Sequence, residues 1–199
     1  SVLRPWQDSR ANRMDSALAY NMKCLTEGSI MSQTRPSSDP VEIDASDPLR
    51  LHDVDHVRFY CGNAKQAAYF YAWNFGFQVE QYRDLTTGSR DTASYLLRQG
   101  NIRLILETGL TADHEAAQEV ATYGDGVKDV SLTVNDAEAA YEQAIRNGAE
   151  SGYEPIEETD EHGTMVRAAI RSYGRVLHTF VSRKGDYGLN AVRAGGRFG

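Results

Sequence analysis

Residues 54–76, VDHVRFYCGNAKQAAYFYAWNFG, decide how this chain folds. Apolar and polar side chains alternate in the first part of this stretch, with one set on each face: Val57, Phe59 and Cys61 against His56, Arg58 and Tyr60. A period of two residues is typical of a half-buried β-strand. Gly62 then makes a turn, and Asn63 with Gln66 forms a capping-box pattern that begins a helix. Gly76 is expected to end that helix.

The same pattern returns in residues 129–148, DVSLTVNDAEAAYEQAIRNG. Its strand alternates in the same way, with two sets of side chains: Val130, Leu132 and Val134 against Asp129, Ser131 and Thr133. Asn135 with Glu138 repeats the capping box, and Gly148 follows the cap at the same distance as Gly76 follows Asn63. A repeated supersecondary unit indicates an internal duplication.

Three strand-like segments follow each copy of this strand and helix. The segments are 77–83, 92–97 and 102–108 in the first copy, and 149–157, 164–171 and 175–182 in the second. A helix at 112–123 is predicted to connect the copies. The sequence therefore predicts an α+β fold of two paired βαβββ modules, 53–108 and 128–182. Each module is expected to be an antiparallel sheet with a helix on one face, and together they form a cupped mixed sheet with the helices outside.

The ends of the chain lack this pattern. Four of the five prolines lie within residues 1–50, where apolar periodicity is weak. Such a segment buries too little apolar surface to offset the entropy of ordering it, so a disordered tail is predicted there. The predicted domain covers residues 51–183, and residues 184–199 are predicted to be an irregular tail.

Charge and cysteine content limit the partners and the compartment. The net charge is −7 over 199 residues, which argues against a nucleic-acid partner because such proteins carry a basic face. No apolar run reaches the roughly 20 residues that span a bilayer, so no membrane partner is expected. The two cysteines, Cys24 and Cys61, favour a reducing cytoplasm over a disulfide framework. Cys61 is expected to be a small buried apolar residue.

Four long segments resemble one family. They are VRFYCGNAKQAAYFYAWNFGF (57–77), GSRDTASYLLRQGNIRLIL (88–106), YGDGVKDVSLTV (123–134) and AAIRSYGRVLHTFVSRKGDYG (168–188). Together they resemble the N-terminal half of the 4-hydroxyphenylpyruvate dioxygenases, a family within the vicinal-oxygen-chelate superfamily. The resemblance covers about residues 51–188.

The resemblance implies an activity and also implies which half of the protein carries it. The family uses Fe(II) and O2 to convert 4-hydroxyphenylpyruvate, an α-keto acid, to homogentisate and CO2 in tyrosine catabolism. Its iron, substrate and catalytic residues belong to the C-terminal half. The resemblance therefore implies that this chain is the non-catalytic N-terminal half, inactive alone, with no catalytic, cofactor-binding or metal-binding residue of its own. The resemblance is also compatible with a homo-oligomer, because this half supports oligomerisation in the family.

The resemblance also implies positions for the family's iron ligands, which are two histidines and one carboxylate. His56 stands where an active module keeps its first histidine. Asp129 stands in the place of the second histidine, and Thr179 in the place of the carboxylate. We interpret His56 as a buried, hydrogen-bonded relic of the duplication. A weak divalent-ion site at His56 and Asp129 is an open alternative.

No site is assigned to the other polar candidates. His178 neighbours Thr179 and therefore points to the opposite face of its strand, where a structural hydrogen bond to a strand or loop is expected. His114 is interpreted as a solvated residue in the first turn of its helix, His162 lies in a polar turn, and His52 precedes the first strand. A solvated loop is predicted for the acidic run Glu157, Glu158, Asp160 and Glu161. A second open alternative is a stand-alone small-ligand-binding module of the bleomycin-resistance type, which needs a dimer with an apolar cavity.

Overall fold

A computed structural model of the protein describes residues 49–160 and 163–185. The first module contains β1 (Leu51–Tyr60), α1 (Ala64–Phe75), β2 (Gln78–Arg83), β3 (Thr92–Gln99) and β4 (Ile102–Gly109). Helix α2 (Glu115–Tyr123) connects it to the second, which contains β5 (Gly126–Val134), α3 (Ala137–Arg146), β6 (Ser151–Asp160), β7 (Gly163–Arg171) and β8 (Leu177–Gly185). The predicted tails lie outside the described residues, apart from 49–50 and 184–185.

All eight strands form one sheet in the order β2-β3-β4-β1-β5-β8-β7-β6. The modules meet at its centre, where β1 and β5 pair in antiparallel fashion. The predicted cupped mixed sheet is confirmed. The prediction that the sheet within each module is antiparallel was wrong, because β4 runs parallel to β1 and β8 runs parallel to β5. Helix α1 carries the chain back along the sheet, so β2 starts in the direction of β1. Two hairpin reversals later, β4 has that direction again.

The apolar sides of β1 and β5 face the helices. Helix α1 packs Ala64 and Ala68 into a cluster with Cys61, Leu97 and Leu106, and Val57 and Phe59 pack against it. The second cluster, under α3, joins Val134, Ala137, Ala140, Ala144 and Phe180. Alanine on the buried side lets each helix approach the sheet closely. The predicted apolar faces of both strands are therefore confirmed, and the polar faces are left on the opposite side of the sheet.

The predicted cap is confirmed in α1 and wrong by one residue in α3. The Asn63 side chain accepts a hydrogen bond from the Gln66 amide at 3.0 Å, and Gly76 ends α1 at φ 77°. In α3 the cap is Asp136, which accepts from the Ala139 amide at 3.1 Å. The neighbouring Asn135 is used elsewhere, because its Oδ1 lies 2.6 Å from Nε2 of His52.

Helix α2 begins at Glu115, three residues later than predicted. His114 caps it, since its Nδ1 accepts from the Ala116 amide at 3.1 Å, so a solvated first-turn role for His114 was wrong. Lys128 of β5 fixes α2 to the sheet through Glu115 at 2.6 Å and Glu119 at 2.8 Å. Burial alone would lower the pKa of Lys128, but the two carboxylates raise it above its ordinary value.

The prediction that the acidic run at residues 157–161 forms a loop was wrong for its described residues. Glu157 and Glu158 belong to β6, and Glu158 pairs with Arg167 of β7 at 2.8 Å. The β6–β7 hairpin is longer than predicted, because this cross-strand ion pair allows acidic residues to continue the ladder. Glu161 and His162 lie outside the described residues. Within residues 49–160 and 163–185, none of the helices combines the length and apolar character required to cross a membrane.

Candidate functional site

Polar side chains from both modules meet on the inner face of the sheet, opposite the helices. In the β1–β5 pairing, His56 lies across from Ser131, and Arg58 lies across from Asp129. Opposite residues of an antiparallel pair present their side chains on the same face. His56, Ser131 and Asp129 are all buried. The seam between the modules is therefore a buried polar region, and it is the candidate site.

A bulge in β1 adds an acidic residue to this region. The register shifts between the pairs Val54–Leu132 and His56–Ser131, so Asp55 is the extra residue. Its carboxylate lies 2.7 Å from Nδ1 of His56. Both carboxylate oxygens also accept hydrogen bonds from the guanidinium of Arg183 on β8, which donates from Nη1 and Nη2. We call Asp55, His56, Asp129, Ser131 and Arg183 the junction network.

The protons of the junction network can be assigned by counting donors. The Ser131 hydroxyl donates its one proton to Oδ2 of Asp129 at 2.7 Å. At Nε2 of His56, 3.2 Å away, Ser131 therefore accepts. Nδ1 of His56 faces the Asp55 carboxylate, which is also an acceptor. Both ring nitrogens of His56 are therefore placed to donate, one to Asp55 and one to Ser131.

The electrostatics of Asp55 agree with this assignment. Burial alone would raise the pKa of Asp55, since a buried carboxylate loses its hydration. Hydrogen bonds from His56 and Arg183, together with their charges, outweigh burial and hold the pKa well below its usual range. Asp55 is therefore a buried anion that joins β1 of the first module to β8 of the second.

The contacts of Ser131, His56 and Asp55 follow the order of a nucleophile, base and acid, the arrangement of serine hydrolases. Ser131 is 0% exposed, so no substrate can reach it. Its proton is also donated to Asp129 rather than to His56. The geometry therefore supports a structural role, and it does not support nucleophilic catalysis.

The same positions do not fit the iron centre that the family uses. With both ring nitrogens donating, His56 has no lone pair for a metal. Asp129 accepts from Ser131 at Oδ2, whereas its buried Oδ1 has no hydrogen-bond partner among the described residues. Thr179 lies across from Ser131 on β8, with its hydroxyl 3.1 Å from that of Tyr153. Among the described residues there is no group of three or more His, Cys, Asp or Glu side chains that could hold a metal. The structure thus brings the three predicted positions to the same face, where Ser131 links His56 to Asp129 and Thr179 contacts Tyr153.

Two further candidates have structural surroundings. His178 packs edge-on against Tyr173 at 6.5 Å, on the face opposite Thr179. The expected hydrogen bond is not found at its buried Nδ1, which has no partner in the described part of the chain. Cys61 is a buried free thiol, as predicted, and burial raises its pKa to about 11. It is therefore protonated and unreactive at neutral pH.

Sequence reasoning missed Asp55, Arg183 and Glu107. Glu107 on β4 accepts from Arg58 at 3.2 Å and from Ser94 at 3.2 Å, and it is buried. One signal was available for Asp55, because it is a charged residue at a position that alternation assigns to the apolar face of β1. Arg183 had no such signal, since it comes after the predicted end of its strand.

Two βαβββ modules joined edge to edge, with helices on one face and a polar cup on the other, define the vicinal-oxygen-chelate class. Solved structures share this fold. A triple mutant of 4-hydroxymandelate synthase from Streptomyces coelicolor matches with a TM-score of 0.62 at 24% identity, over 67% of this chain and 39% of that one. Methylmalonyl-CoA epimerase from Mycobacterium tuberculosis matches with a TM-score of 0.54 at 18% identity, over 69% and 91%.

The chain belongs to the hydroxyphenylpyruvate dioxygenase N-terminal family. The model described as "Hydroxyphenylpyruvate dioxygenase, HPPD, N-terminal" matches residues 46–190. A relative called 4-hydroxyphenylpyruvate dioxygenase, from Tetrahymena thermophila, is 41% identical over 138 residues, which is 67% of this chain and 34% of that protein. The chain thus spans about a third of the length of this relative. The resemblance in the sequence is confirmed.

Proposed function

We propose that this chain supplies the structural, non-catalytic N-terminal half of a 4-hydroxyphenylpyruvate dioxygenase-like protein. The reaction of that protein converts 4-hydroxyphenylpyruvate and O2 to homogentisate and CO2 with Fe(II), in tyrosine catabolism. Family membership over residues 46–190 supports this proposal. The observation that carries it is the junction network, in which Ser131 links His56 and Asp129, two of the three positions compared with the family's metal ligands.

In this proposal the junction network makes the inner face structural rather than catalytic. Asp55 and His56 come from the first module, and Ser131, Asp129 and Arg183 come from the second. Two of these contacts, His56 with Ser131 and Asp55 with Arg183, connect the first module to the second. Opposite charges that are buried and hydrogen-bonded fix the register of the β1–β5 pair. In this account the domain is a rigid support, and Fe(II) is held outside the described residues.

The first prediction is that the purified chain forms no homogentisate from 4-hydroxyphenylpyruvate in the presence of Fe(II), ascorbate and O2. The expected rate equals that of a reaction without protein, because the described residues provide no site for the iron. Chromatography of the products measures homogentisate directly. The Tetrahymena thermophila relative is the positive control for the reagents. Homogentisate above the background with this chain alone would contradict the proposal.

The structure does not favour a small-ligand-binding module of the bleomycin-resistance type. Such a module needs an apolar cavity in the cup, whereas the inner face carries the buried polar side chains of the junction network. A groove of about 550 Å3 lies on the helical side of the sheet. We place the protein in the cytoplasm, which the buried free thiol of Cys61 supports.

A further inference from the structure

Two arginines lie directly opposite each other on the inner face of the first module. Arg98 of β3 and Arg103 of β4 are partners in the antiparallel register. Such partners project on the same side of the sheet, with Cβ atoms about 4.5 to 5.5 Å apart. The next pair of residues, Leu97 and Leu104, points the other way and joins the apolar cluster under α1. Arg98 and Arg103 therefore face away from α1, and we call them the arginine pair.

The arginine pair is a local source of instability. Like charges directly opposite each other on a sheet repel and destabilise it. Arg98 has partial compensation, since it donates to Glu80 at 3.3 Å and to the Gly100 carbonyl at 2.8 Å. The ion pair with Glu80 is exposed, with 44% and 36% of the two side chains accessible, so water screens it. The side chain of Arg103 has no hydrogen bond or ion pair within residues 49–160 and 163–185.

Two further arginines add positive charge to the same face. Arg83 of β2 lies across from Ser94, and Arg58 of β1 donates to Glu107. The Nε atoms of both arginines are buried and have no hydrogen-bond partner in the described part of the chain. Buried donors are usually partnered, by protein, water or ligand. Glu80 and Glu107 each pair with one of the four arginines, so a positive excess remains in a chain whose net charge is −7.

We propose that the arginine pair binds a small, doubly charged oxyanion, a phosphate group or a dicarboxylate. The guanidinium of arginine is a planar fork that donates two parallel hydrogen bonds to carboxylate or phosphate oxygens. A dianion between Arg98 and Arg103 replaces their mutual repulsion with attraction to a shared partner. The positive excess on the concave face also concentrates anions near the site. This inference goes beyond the proposed function and does not depend on it, because the arginine pair lies outside the junction network.

Isothermal titration calorimetry of the purified chain at constant ionic strength tests the proposal, with inorganic phosphate in one arm and malonate in the other. The wild type binds at least one of them with a Kd of about 1 mM, and the two arms distinguish a phosphate from a carboxylate ligand. Arg103→Gln binds at least about tenfold more weakly, the loss expected for a charge-assisted hydrogen bond. The control is Arg146→Gln, which removes the same charge from the exposed surface of α3 and binds as the wild type does.

Urea unfolding of Arg103→Glu gives a second reading from a variant that is expected to fold well. Without added anion it is more stable than the wild type, because opposite charges replace like charges across the two strands. Phosphate stabilises any protein to some extent by exclusion from its surface, and it stabilises the wild type further by binding. Three results would overturn the proposal: no binding of either anion by the wild type at about 10 mM, undiminished affinity in Arg103→Gln, or an Arg103→Glu variant less stable than the wild type.

Discussion

Asp55→Asn destabilises the domain by about 3 to 5 kcal/mol, the usual loss when one partner is removed from a buried ion pair. The substitution keeps the size of the side chain and removes its charge. Arg183 and His56 are then left in the seam without the anion that both contact. Since small domains are stable by only about 5 to 15 kcal/mol, a large part of the stability is lost. Urea unfolding at neutral pH measures the effect.

The control is Glu142→Gln on the outer surface of α3. Glu142 pairs with Arg146 at 3.3 Å, and both side chains are well exposed. Such pairs contribute about 0.3 to 0.5 kcal/mol, so the control is expected to unfold almost as the wild type does. If Asp55→Asn changes the free energy of unfolding as little as Glu142→Gln, then the junction network does not hold the modules together.

Acidic pH removes the contribution of Asp55 to the free energy of unfolding, and this is the second large effect that we expect. The folded-state pKa of Asp55 lies well below the unfolded value of about 3.9. The unfolded state therefore takes up the proton first as the pH falls, and the folded state loses its advantage. The stabilisation is fully present above the unfolded pKa and is lost as the pH falls through the folded one. A single salt-bridged Asp contributes on the order of 2 to 3 kcal/mol in this way.

Comparison of wild type and Asp55→Asn across pH isolates this effect from the other carboxylates, which both proteins share. The free energies of unfolding differ most at neutral pH. The difference is expected to narrow steadily between about pH 5 and pH 2, because the wild type loses the charge that the variant never had. Urea unfolding at each pH measures it. A difference that stays constant over this range would show that the charge of Asp55 is not what stabilises the seam.

The fold can be predicted from the periodicity of the sequence, whereas the side-chain contacts between the two modules cannot. Alternation in 54–61 and 129–134, with a helix after each, is sufficient to place both strands and their apolar faces. The sheet has the predicted cupped form because neither module can bury its core alone. Caps are harder to predict when two candidates are adjacent. Asn135 and Asp136 can both cap α3. Which of them does so depends on the contact between Asn135 and His52, which is far away in the sequence.

The junction network could be predicted only in part. Strand parity placed His56 and Asp129 on the inner face, and the family resemblance placed Thr179 there. The structure brings all three to that face. The bulge that brings Asp55 beside His56 is a register shift, which alternation cannot indicate. Arg183 lies 128 residues from its partner Asp55. A contact of that range depends on the assembled sheet and has no local signal.

The junction network also gives His56 a structural role. In this arrangement His56 donates from both ring nitrogens, one to Asp55 and one to Ser131. A metal ligand must offer a lone pair, so the hydrogen bonds and the metal exclude each other. The prediction that this chain contributes no metal ligand remains a prediction, and it depends on His56 more than on any other residue.

Metal analysis of the purified, tag-free chain tests the central claim most directly. Wild type and His56→Ala are each loaded with Fe(II) without oxygen, or with Zn(II), and are then dialysed before the ratio of metal to protein is measured. Our account predicts no stoichiometric ion in either protein and no difference between them. One ion per chain in the wild type that is lost in His56→Ala would show that the seam is a metal site, and would contradict the account.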